Sequence, residues 1–388
     1  MKIVLLGLDF ANPNLGCQAL AYSFVEVVEK AAKKANITCE YTALVFYPLD
    51  SIKIEDSEIK IYSIKIKYKS FGFWRAIKKT FKNSDLIVDF TGGDSFSDIY
   101  GNKRFRFATF IKYLAIKSKT PLLLGPQTYG PYKSKINRRF AAHIIKKARW
   151  VFARDLTSAN LAKELSGKDI EVTLDVAFRL PYTKKVLEHS GKTLVGINVS
   201  GFLWEGGYDH LNNITKVDYH KYCESIIDYL YSKGGYQVYL IPHVGTKEAI
   251  GRENDLSACL ALKNKYPEAI IANDFNTPMD AKSIISAMDL FIGARMHATI
   301  AAISTGVATI PFSYSRKFEG LFNYLAYPYV ISGRSETTDA AIAKTQKWIE
   351  NITDLNTSVK KSQECIQAQK DDFLNKLIQI FRKISKQG

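Results

Sequence analysis

The stretch Asp289-Leu-Phe-Ile-Gly-Ala-Arg-Met-His-Ala298 joins a short apolar run to a second apolar run with helical spacing. The run before Gly293 is typical of a buried strand, and residues 298–304 are typical of a buried helix. A strand that ends in glycine and leads into a helix is the repeating unit of parallel sheets covered on both faces. The stretch therefore predicts an α/β fold.

Strand-like runs alternate with amphipathic helical runs along most of the chain. In the first half the strands are predicted at residues 3–8, 38–46, 59–66, 86–90, 122–124, 150–152 and 172–174, and the helices at 18–34, 74–81, 104–116, 136–147 and 158–165. After a linker-like pause at residues 178–185, strands are predicted at 193–199, 237–241, 269–272, 290–292 and 309–312, with helices at 219–231 and 281–287.

The length of 388 residues suits two domains of about 190 residues each. We predict two Rossmann-like domains facing across a cleft, the GT-B-like arrangement, at residues 1–180 and 190–335. A helical tail is predicted at residues 336–388, and its amphipathic stretch 371–386 is expected to pack against the first domain rather than on a membrane.

The net charge of +16 is concentrated in the first half of the chain. Residues 1–180 carry 30 Lys and Arg against 17 Asp and Glu, and residues 99–154 carry fourteen basic residues and no acid. Residues 60–82 carry eight basic residues and no acid, and aromatic residues such as Phe71 and Trp74 are interleaved with the bases. Such a field attracts anionic lipid, acidic small substrates or nucleic acid. Because no nucleic-acid-binding signature occurs, we expect no nucleic-acid partner.

Arg295 and His297 stand where the opening stretch passes from strand to helix. The N-terminus of a helix favours anions through its free N–H groups and its dipole. Arginine binds carboxylate or phosphate through two parallel hydrogen bonds, and histidine exchanges protons near neutral pH. The pair predicts an anion site beside a proton donor; a structural, hydrogen-bonding histidine is the alternative. Tyr314 and Lys317 follow the next strand and add a second basic cluster.

The strand at residues 86–90 ends in a turn at Gly92 and Gly93, followed by Asp94. Glycine at such a turn permits close approach of the backbone to a ligand. The carboxylate of Asp94 could then act as a base or bind sugar hydroxyls, and a solvated turn aspartate is the alternative.

Four further polar residues follow predicted strands. Gln127 lies in a loop punctuated by Gly and Pro, which either presents polar groups or is simply rigid. Arg154 is left facing the predicted cleft if Asp155 caps the next helix. In the second half Asn198 and His243 occupy the same kind of position, and we predict that they contact substrate.

The first predicted strand is followed by the turn Asn12-Pro-Asn-Leu-Gly-Cys17. Gly16 allows the backbone to approach a ligand, and Asn14 can donate to that ligand. Any βα turn uses such residues, so a plain turn is the alternative. The chain has neither a GxGxxG fingerprint nor a Walker A motif, so a bound nucleotide has no motif to support it.

Together these motifs resemble the polysaccharide pyruvyl transferase family. The resemblance is carried, in the family's order, by Gly92-Gly93-Asp94, Gly125-Pro-Gln127 with Gly130-Pro131, Arg154-Asp155 with Ser158, Asp175, and Gly293-Ala-Arg-Met-His-Ala298 with Tyr314 and Lys317. Such proteins usually show Asn-x-Gly-Asp after the first strand, whereas here Cys17 follows Gly16, so the turn lacks that acid.

The resemblance implies transfer of pyruvate from phosphoenolpyruvate onto two hydroxyls of a sugar, forming a cyclic ketal in bacterial exopolysaccharide or capsular polysaccharide. Because phosphoenolpyruvate carries a phosphate and a carboxylate, we expect Arg154, Arg295 and Lys317 to bind it. We expect His297 to protonate the enol methylene, and Asp94 to bind the sugar or act as a base. No further cofactor and no metal are expected.

Acceptors in this family are often sugars on lipid carriers, so the resemblance also implies a lipid-linked oligosaccharide. The first domain is then expected to face the acceptor and the membrane, and the second to hold the donor. We expect a cytoplasmic protein, peripheral at the inner face of the plasma membrane, with residues 60–82 docking on anionic lipid. The main alternative is a GT-B glycosyltransferase that uses a nucleotide sugar, because one fold serves both chemistries. A non-catalytic sugar-binding or scaffold protein is the second alternative.

Overall fold

The computed structural model describes residues 1–206, 214–247 and 253–386, without the side chains of residues 316 and 317. These residues form α/β structure with two separate sheets, so the predicted fold class is confirmed. Within the described ranges no helix has both the length and the apolar character needed to cross a bilayer.

The first sheet has the strand order β3-β4-β2-β1-β5-β6-β7-β8. Its strands are β1 (Lys2–Leu6), β2 (Glu40–Val45), β3 (Ser51–Ile54), β4 (Ser57–Lys65), β5 (Leu86–Asp89), β6 (Leu122–Gln127), β7 (Trp150–Ala153) and β8 (Glu171–Val172). The helices in this part of the chain are α1 (Leu15–Ala35), α2 (Phe71–Lys82), α3 (Asn102–Lys117), α4 (Lys135–Lys147) and α5 (Leu156–Ser166), with short 3₁₀ turns at Thr91–Gly93, Asp98–Tyr100 and Val176–Arg179.

The second sheet has the strand order β11-β10-β9-β12-β13-β14. Its strands are β9 (Thr193–Asn198), β10 (Tyr236–Leu240), β11 (Ile270–Ile271), β12 (Leu290–Gly293), β13 (Ala308–Ser313) and β14 (Ile331–Ser332). The helices are α6 (Gly201–Trp204), α7 (Tyr219–Lys233), α8 (Asp255–Lys265), α9 (Pro278–Ile285), α10 (Met296–Thr305), α11 (Arg316–Tyr324), α12 (Thr338–Glu350), α13 (Ile352–Gln369) and α14 (Asp372–Ser385).

Parallel pairing explains why the central strands are apolar along their whole length. Every residue of β5, β6, β12 and β13 is buried, as expected for strands covered by helices on both faces. Strand order reverses between β1 and β5 in the first sheet and between β9 and β12 in the second. In open α/β sheets, ligands bind at the carboxyl ends of strands beside such a reversal.

One hairpin departs from the predicted pattern. The strand β3 pairs antiparallel with β4, with Ile54 opposite Ser57, and was not predicted. The two-residue turn Glu55-Asp56 carries a positive φ of 52° at Glu55, a conformation more common for glycine or asparagine. Because the turn lacks those residues, no local pattern predicts a hairpin there.

The chain divides into two compact units, and each unit is made of more than one segment of the chain. Unit 1 contains Met1–Asn12, Leu20–Arg179 and the chain from Gln369, and unit 2 contains Pro13–Ala19 and Leu180–Ala368. The predicted tail is therefore shared, because α12 and α13 belong to unit 2 and α14 to unit 1. The first βα turn also belongs to unit 2, although β1 lies in unit 1.

Helix α14 is held in unit 1 by its apolar face. Phe373 is 2% exposed and packs its ring 5.1 Å from that of Phe152 and 6.4 Å from that of Phe24. Ahead of the helix, Arg179 Nη1 donates to Asp371 at 2.6 Å. The expectation that this amphipathic stretch packs against the first domain is thus confirmed.

We expect Phe373→Ala to lower the free energy of unfolding of unit 1 by about 3–5 kcal/mol, because it leaves a cavity under α14. Phe71→Ala is the matched control, since Phe71 is 82% exposed, and it should change the free energy by no more than about 0.5 kcal/mol. Urea unfolding followed by far-ultraviolet circular dichroism measures both. Equal losses in the two variants would show that α14 does not stabilise the unit.

Candidate functional site

Several predicted site residues meet where strand order reverses in unit 2. Asn198 ends β9, and Arg295 follows β12 on the other side of the reversal. Asn198 Oδ1 accepts from the backbone N–H of Arg295 at 2.9 Å, and its Nδ2 donates to Ile241 O at 2.9 Å. Because both ends of the buried amide are occupied by the protein, Asn198 holds three strand ends in register.

A carboxylate that the sequence analysis did not identify lies at the centre of this region. Asp255 is completely buried and accepts hydrogen bonds from the backbone N–H groups of Gly201 at 2.8 Å, His243 at 3.0 Å and Val244 at 3.1 Å. It also pairs with Arg295, whose Nη2 lies 2.8 Å from Asp255 Oδ1. The sequence signal was Asn-Asp before an apolar helix, which predicts a helix start but not this partner.

The pair with Asp255 changes the role expected of Arg295. Arg295 Nε donates to Asp255 Oδ1 at 3.1 Å, and Nη2 donates to Asp255 Oδ1 and to Glu253 O at 2.9 Å. Burial has the largest single effect and lowers the pKa of the guanidinium, but the nearby negative charges, Asp255 foremost, together with the hydrogen bond to Asp255 raise the pKa above its ordinary value. Arg295 therefore stays charged, and one edge of its fork is committed to the protein.

Tyr314 and Lys317, the predicted second basic cluster, follow β13. The Tyr314 ring packs 5.9 Å from Phe202. Burial raises the pKa of Tyr314, while the charge of Arg295 and a hydrogen bond with it act in the opposite direction. Tyr314 therefore remains a neutral phenol beside Arg295. Lys317 lies in α11, and its side chain is outside the part of the chain that the structure describes.

His243 is a buried imidazole at the end of β10. It is 3% exposed, and neither ring nitrogen has a hydrogen-bond partner in the part of the chain that the structure describes. Burial lowers the pKa of His243 to about 3, and the charges of His297 and Arg295 contribute to that effect. His243 is therefore neutral at physiological pH and cannot be a cationic phosphate ligand there.

His297 lies in the first turn of α10, as predicted, and the turn after β1 lies against it. The backbone of that turn is fixed by Leu15 N donating to His243 O at 3.0 Å. A Cβ on Gly16 would stand 2.5 Å from His297 Nδ1 and 3.0 Å from Asn14 Oδ1. Gly16 thus leaves room for the imidazole of His297 within unit 2. This contact explains the need for glycine at a position where the sequence predicted close approach to a ligand.

Arg154, in unit 1, is held by a second buried carboxylate. Its Nη1 donates to Asp175 at 2.7 Å and its Nε donates to Thr128 Oγ1 at 2.9 Å, while Nη2 is buried without a partner among the described residues. Asp155 accepts from Ser158 N at 2.7 Å and caps α5, as predicted. The arginine follows the end of β7 but is 3% exposed.

The glycines of the first-unit turn have the geometry expected of them. Gly92 and Gly93 have φ of 64° and 82°, in the left-handed region that favours glycine. A Cβ on Gly93 would also lie 3.2 Å from Arg154 Nη1. After the turn, Asp94 Oδ2 accepts from Tyr100 OH at 2.8 Å and Oδ1 accepts from Ser95 Oγ at 3.2 Å.

Gln127 is completely buried at the end of β6. Its Nε2 donates to Asp89 O at 3.1 Å, and Asp89 in turn pairs with Lys112 Nζ at 3.2 Å. Its Oε1 is buried with no partner in the described ranges. The amide therefore belongs to an internal polar network of unit 1 rather than to an open loop surface.

No cluster of three or more His, Cys, Asp or Glu side chains able to hold a metal ion occurs among the described residues. The expectation that no metal is required stays a prediction.

Each unit is a Rossmann-like sheet with helices on both sides. Comparison with solved structures of similar architecture shows which class of fold this is. The UDP-GlcNAc 2-epimerase from Neisseria meningitidis bound to UDP-GlcNAc superposes with a TM-score of 0.59 at 12% identity, covering 100% of both chains. A putative UDP-N-acetylglucosamine 2-epimerase from Listeria monocytogenes gives a TM-score of 0.61 at 12% identity, covering 100% of this chain and 97% of that one. These likenesses show a GT-B fold.

A more specific assignment comes from the sequence family. Residues 14–316 match the family described as polysaccharide pyruvyl transferase, and the chain belongs to that family. The matched range contains all the predicted site residues except Lys317. The protein is therefore a transferase of the polysaccharide pyruvyl transferase family with a GT-B fold.

We expect Asp255→Asn to destabilise unit 2 by about 3–5 kcal/mol, because it leaves the buried Arg295 charge without its counter-ion. Asp169→Asn is the control, since Asp169 pairs with Lys163 at the surface and should leave the urea midpoint unchanged. Chemical unfolding of both variants measures the effect. An Asp255→Asn protein as stable as the parent would contradict the central position given to this carboxylate.

The neutral His243 makes stability depend on pH. Its ordinary pKa is 6.5 and its folded pKa is about 3, so between these values the unfolded chain takes up a proton that the folded chain does not. Its contribution is complete above about pH 6.5 and is lost as pH falls, by up to about 1.4 kcal/mol per pH unit.

In His243→Gln that loss should be absent, so its free energy of unfolding should fall less steeply between about pH 6.5 and pH 4 than that of the parent. Replacing the exposed His189 by Gln is the control and should leave the slope as in the parent. Parallel curves for the parent and His243→Gln would show that His243 is protonated in the folded state.

Proposed function

We propose that the protein transfers pyruvate from phosphoenolpyruvate to two hydroxyls of a sugar and closes a cyclic ketal. The observation that carries this proposal is the position of His297 in the first turn of α10, beside Arg295 at a reversal of strand order. That position combines an N-terminal helix dipole, a fixed cation and a titratable imidazole.

Donor binding is assigned to unit 2. The donor is a small anion with a phosphate and a carboxylate, so it requires several positive groups. Nε and Nη2 of Arg295 already donate to Asp255 and to Glu253 O. We therefore assign Arg295 to attract the donor by its positive charge and to contact it through Nη1, rather than to bind it through two parallel hydrogen bonds. The N-terminus of α10 and the ammonium of Lys317 would supply the remaining positive charge.

The chemistry begins with proton transfer to carbon. His297, in its protonated form, gives a proton to the methylene of the enol, and C2 becomes an oxocarbenium-like centre. A sugar hydroxyl adds to C2 and loses its proton, which restores protonated His297. The C2–O bond to phosphate then breaks, a second hydroxyl of the same sugar attacks C2, and its proton leaves with phosphate. The products are the ketal and inorganic phosphate.

The neighbours of His297 suit this role. Gly16 leaves space beside His297 Nδ1, and Asn14 Oδ1 borders the same space. His243 is held neutral, so it does not compete for the proton that His297 must carry. Both residues act on the position and charge of His297 rather than on the bonds that change.

Unit 1 is assigned to substrate recognition. Its candidates are Asp94, which would bind sugar hydroxyls or act as a base, and Arg154, whose buried Nη2 is left for an anionic group. We further propose that the acceptor is a lipid-linked oligosaccharide destined for bacterial exopolysaccharide or capsule. The protein would then act in the cytoplasm at the inner membrane surface, with residues 60–82 near anionic lipid. In that segment Tyr62, Tyr68 and Phe71 are exposed, whereas Phe73 is buried.

We expect His297→Ala to fold as the parent does and to retain stabilisation by phosphoenolpyruvate, but to turn over about 10²- to 10⁴-fold more slowly. Thermal unfolding with and without phosphoenolpyruvate measures binding, and mass spectrometry of the oligosaccharide measures ketal formation. His189→Ala is the control and should keep full activity, because His189 is exposed and lies in the segment between β8 and β9.

The same experiment separates the alternatives. Stabilisation by UDP-glucose but not by phosphoenolpyruvate would replace the proposal with nucleotide-sugar transfer. Binding of the oligosaccharide without any donor would favour a non-catalytic sugar-binding protein. Ketal formation at the parent rate by His297→Ala would remove that histidine from the mechanism.

A further inference from the structure

The outward side of α3 in unit 1 combines apolar and basic side chains. Lys103, Arg106, Phe110, Tyr113 and Lys117 follow one another at intervals of three and four residues, so they form one stripe along the helix. All five are exposed, with Phe110 at 47% and Tyr113 at 37%. A stripe on a soluble domain's surface is normally polar, so these two rings require an explanation.

The neighbouring helix α4 continues this surface. Ile136 is 55% exposed and Phe140 is 48% exposed, and the exposed Arg139 and Lys147 lie on the same side of the helix. We call the exposed surface formed by Phe110, Tyr113, Ile136 and Phe140 with their flanking bases the α3–α4 face.

Two contacts show that the stripes lie side by side. Arg106 Nε donates to Asn137 Oδ1 at 3.4 Å, and the rings of Tyr113 and His143 are 6.2 Å apart. These contacts advance together along both helices, so α3 and α4 run in the same direction with their exposed sides adjacent. The four apolar side chains thus belong to one surface rather than to separate exposed spots.

The charge of this surface is of one sign. No acidic residue occurs between residues 99 and 154. Two acids contact α4 through residues that are not among the flanking bases, since Asp98 accepts from Asn137 and Glu164 pairs with Arg138. The flanking bases are all exposed, and among the described residues Glu164 pairs with Arg138 rather than with any of them, namely Lys103, Arg106, Lys117, Arg139 and Lys147.

We propose that the α3–α4 face docks on an anionic lipid bilayer. Apolar side chains that enter the interface and bases that meet anionic headgroups are the two elements of peripheral membrane binding. A symmetric contact with a second copy would bring this all-basic surface against itself, and like charges oppose such a contact. This inference rests on the proposed function and deepens it, because it names the surface that would meet a lipid-linked acceptor.

The test uses the full-length protein and sedimentation with vesicles, without donor or acceptor. The parent should bind vesicles of phosphatidylcholine with phosphatidylglycerol, bind pure phosphatidylcholine weakly, and be released by high salt. The double variant Phe110→Ser with Phe140→Ser should lower the partition coefficient about a hundredfold, because two aromatic rings no longer enter the interface. The triple variant Arg106→Gln, Arg139→Gln and Lys147→Gln should lose the dependence on anionic lipid.

Matched controls lie in unit 2. Leu260 and Ile270 are 43% and 40% exposed, and their replacement by Ser should leave vesicle binding unchanged. Replacing the exposed Lys347, Lys360 and Lys361 by Gln changes the net charge by the same amount and should have a much smaller effect than the triple variant. All variants are first checked for parental secondary structure and melting temperature.

Three results would overturn the proposal. They are parental vesicle binding by the Phe110 and Phe140 variant, loss of binding only on Phe71→Ser, and conversion of a parental dimer to a monomer by the double variant in analytical ultracentrifugation. Turnover on a detergent-solubilised acceptor should be unchanged in the double variant. Absence of turnover in the parent would reject the proposed function and leave the vesicle result intact. Absence of vesicle binding by the parent would reject the docking proposal and leave the turnover result intact.

Discussion

The buried pair of Asp255 and Arg295 is the constraint on which the rest of unit 2 depends. Asp255 accepts from the loops that follow β9 and β10 and from the arginine that follows β12, so one carboxylate ties three strand ends together. A buried charge is stable only when it is paired and fully hydrogen-bonded. The loops are therefore held in one arrangement, and His297, in the first turn of α10, follows a backbone that has little freedom.

The same device occurs in unit 1, where Asp175 holds Arg154. In both units an arginine that follows a central strand is compensated by a buried acid instead of being left for a ligand alone. For the proposed anionic donor, the positive charge would then come from the helix N-terminus and from the edges of the guanidinium groups. This arrangement favours precise orientation over strong electrostatic attraction inside the site, whereas exposed positive charge lies on the α3–α4 face.

Much of the fold was predictable because hydrophobic period and strand-ending glycines are local signals. The central strands β5 and β12 were predicted to within a residue or so of their observed ends. The hairpin of β3 and β4 was missed because Glu55-Asp56 is not a typical turn pair. The sharing of the tail between units was also not readable, since which core α14 joins depends on contacts distant in sequence, such as Phe373 with Phe24.

The candidate site divides in the same way. The sequence by itself determined that Arg295 and His297 open a helix after a buried strand and that Gly92 and Gly93 form a turn, because these properties depend on neighbouring residues. Only the tertiary structure decided that Asp255 neutralises Arg295, that His243 is buried and uncharged, and that Gly16 makes room for His297. Charge compensation and burial depend on residues brought together from separate strands, so no local pattern could have predicted them.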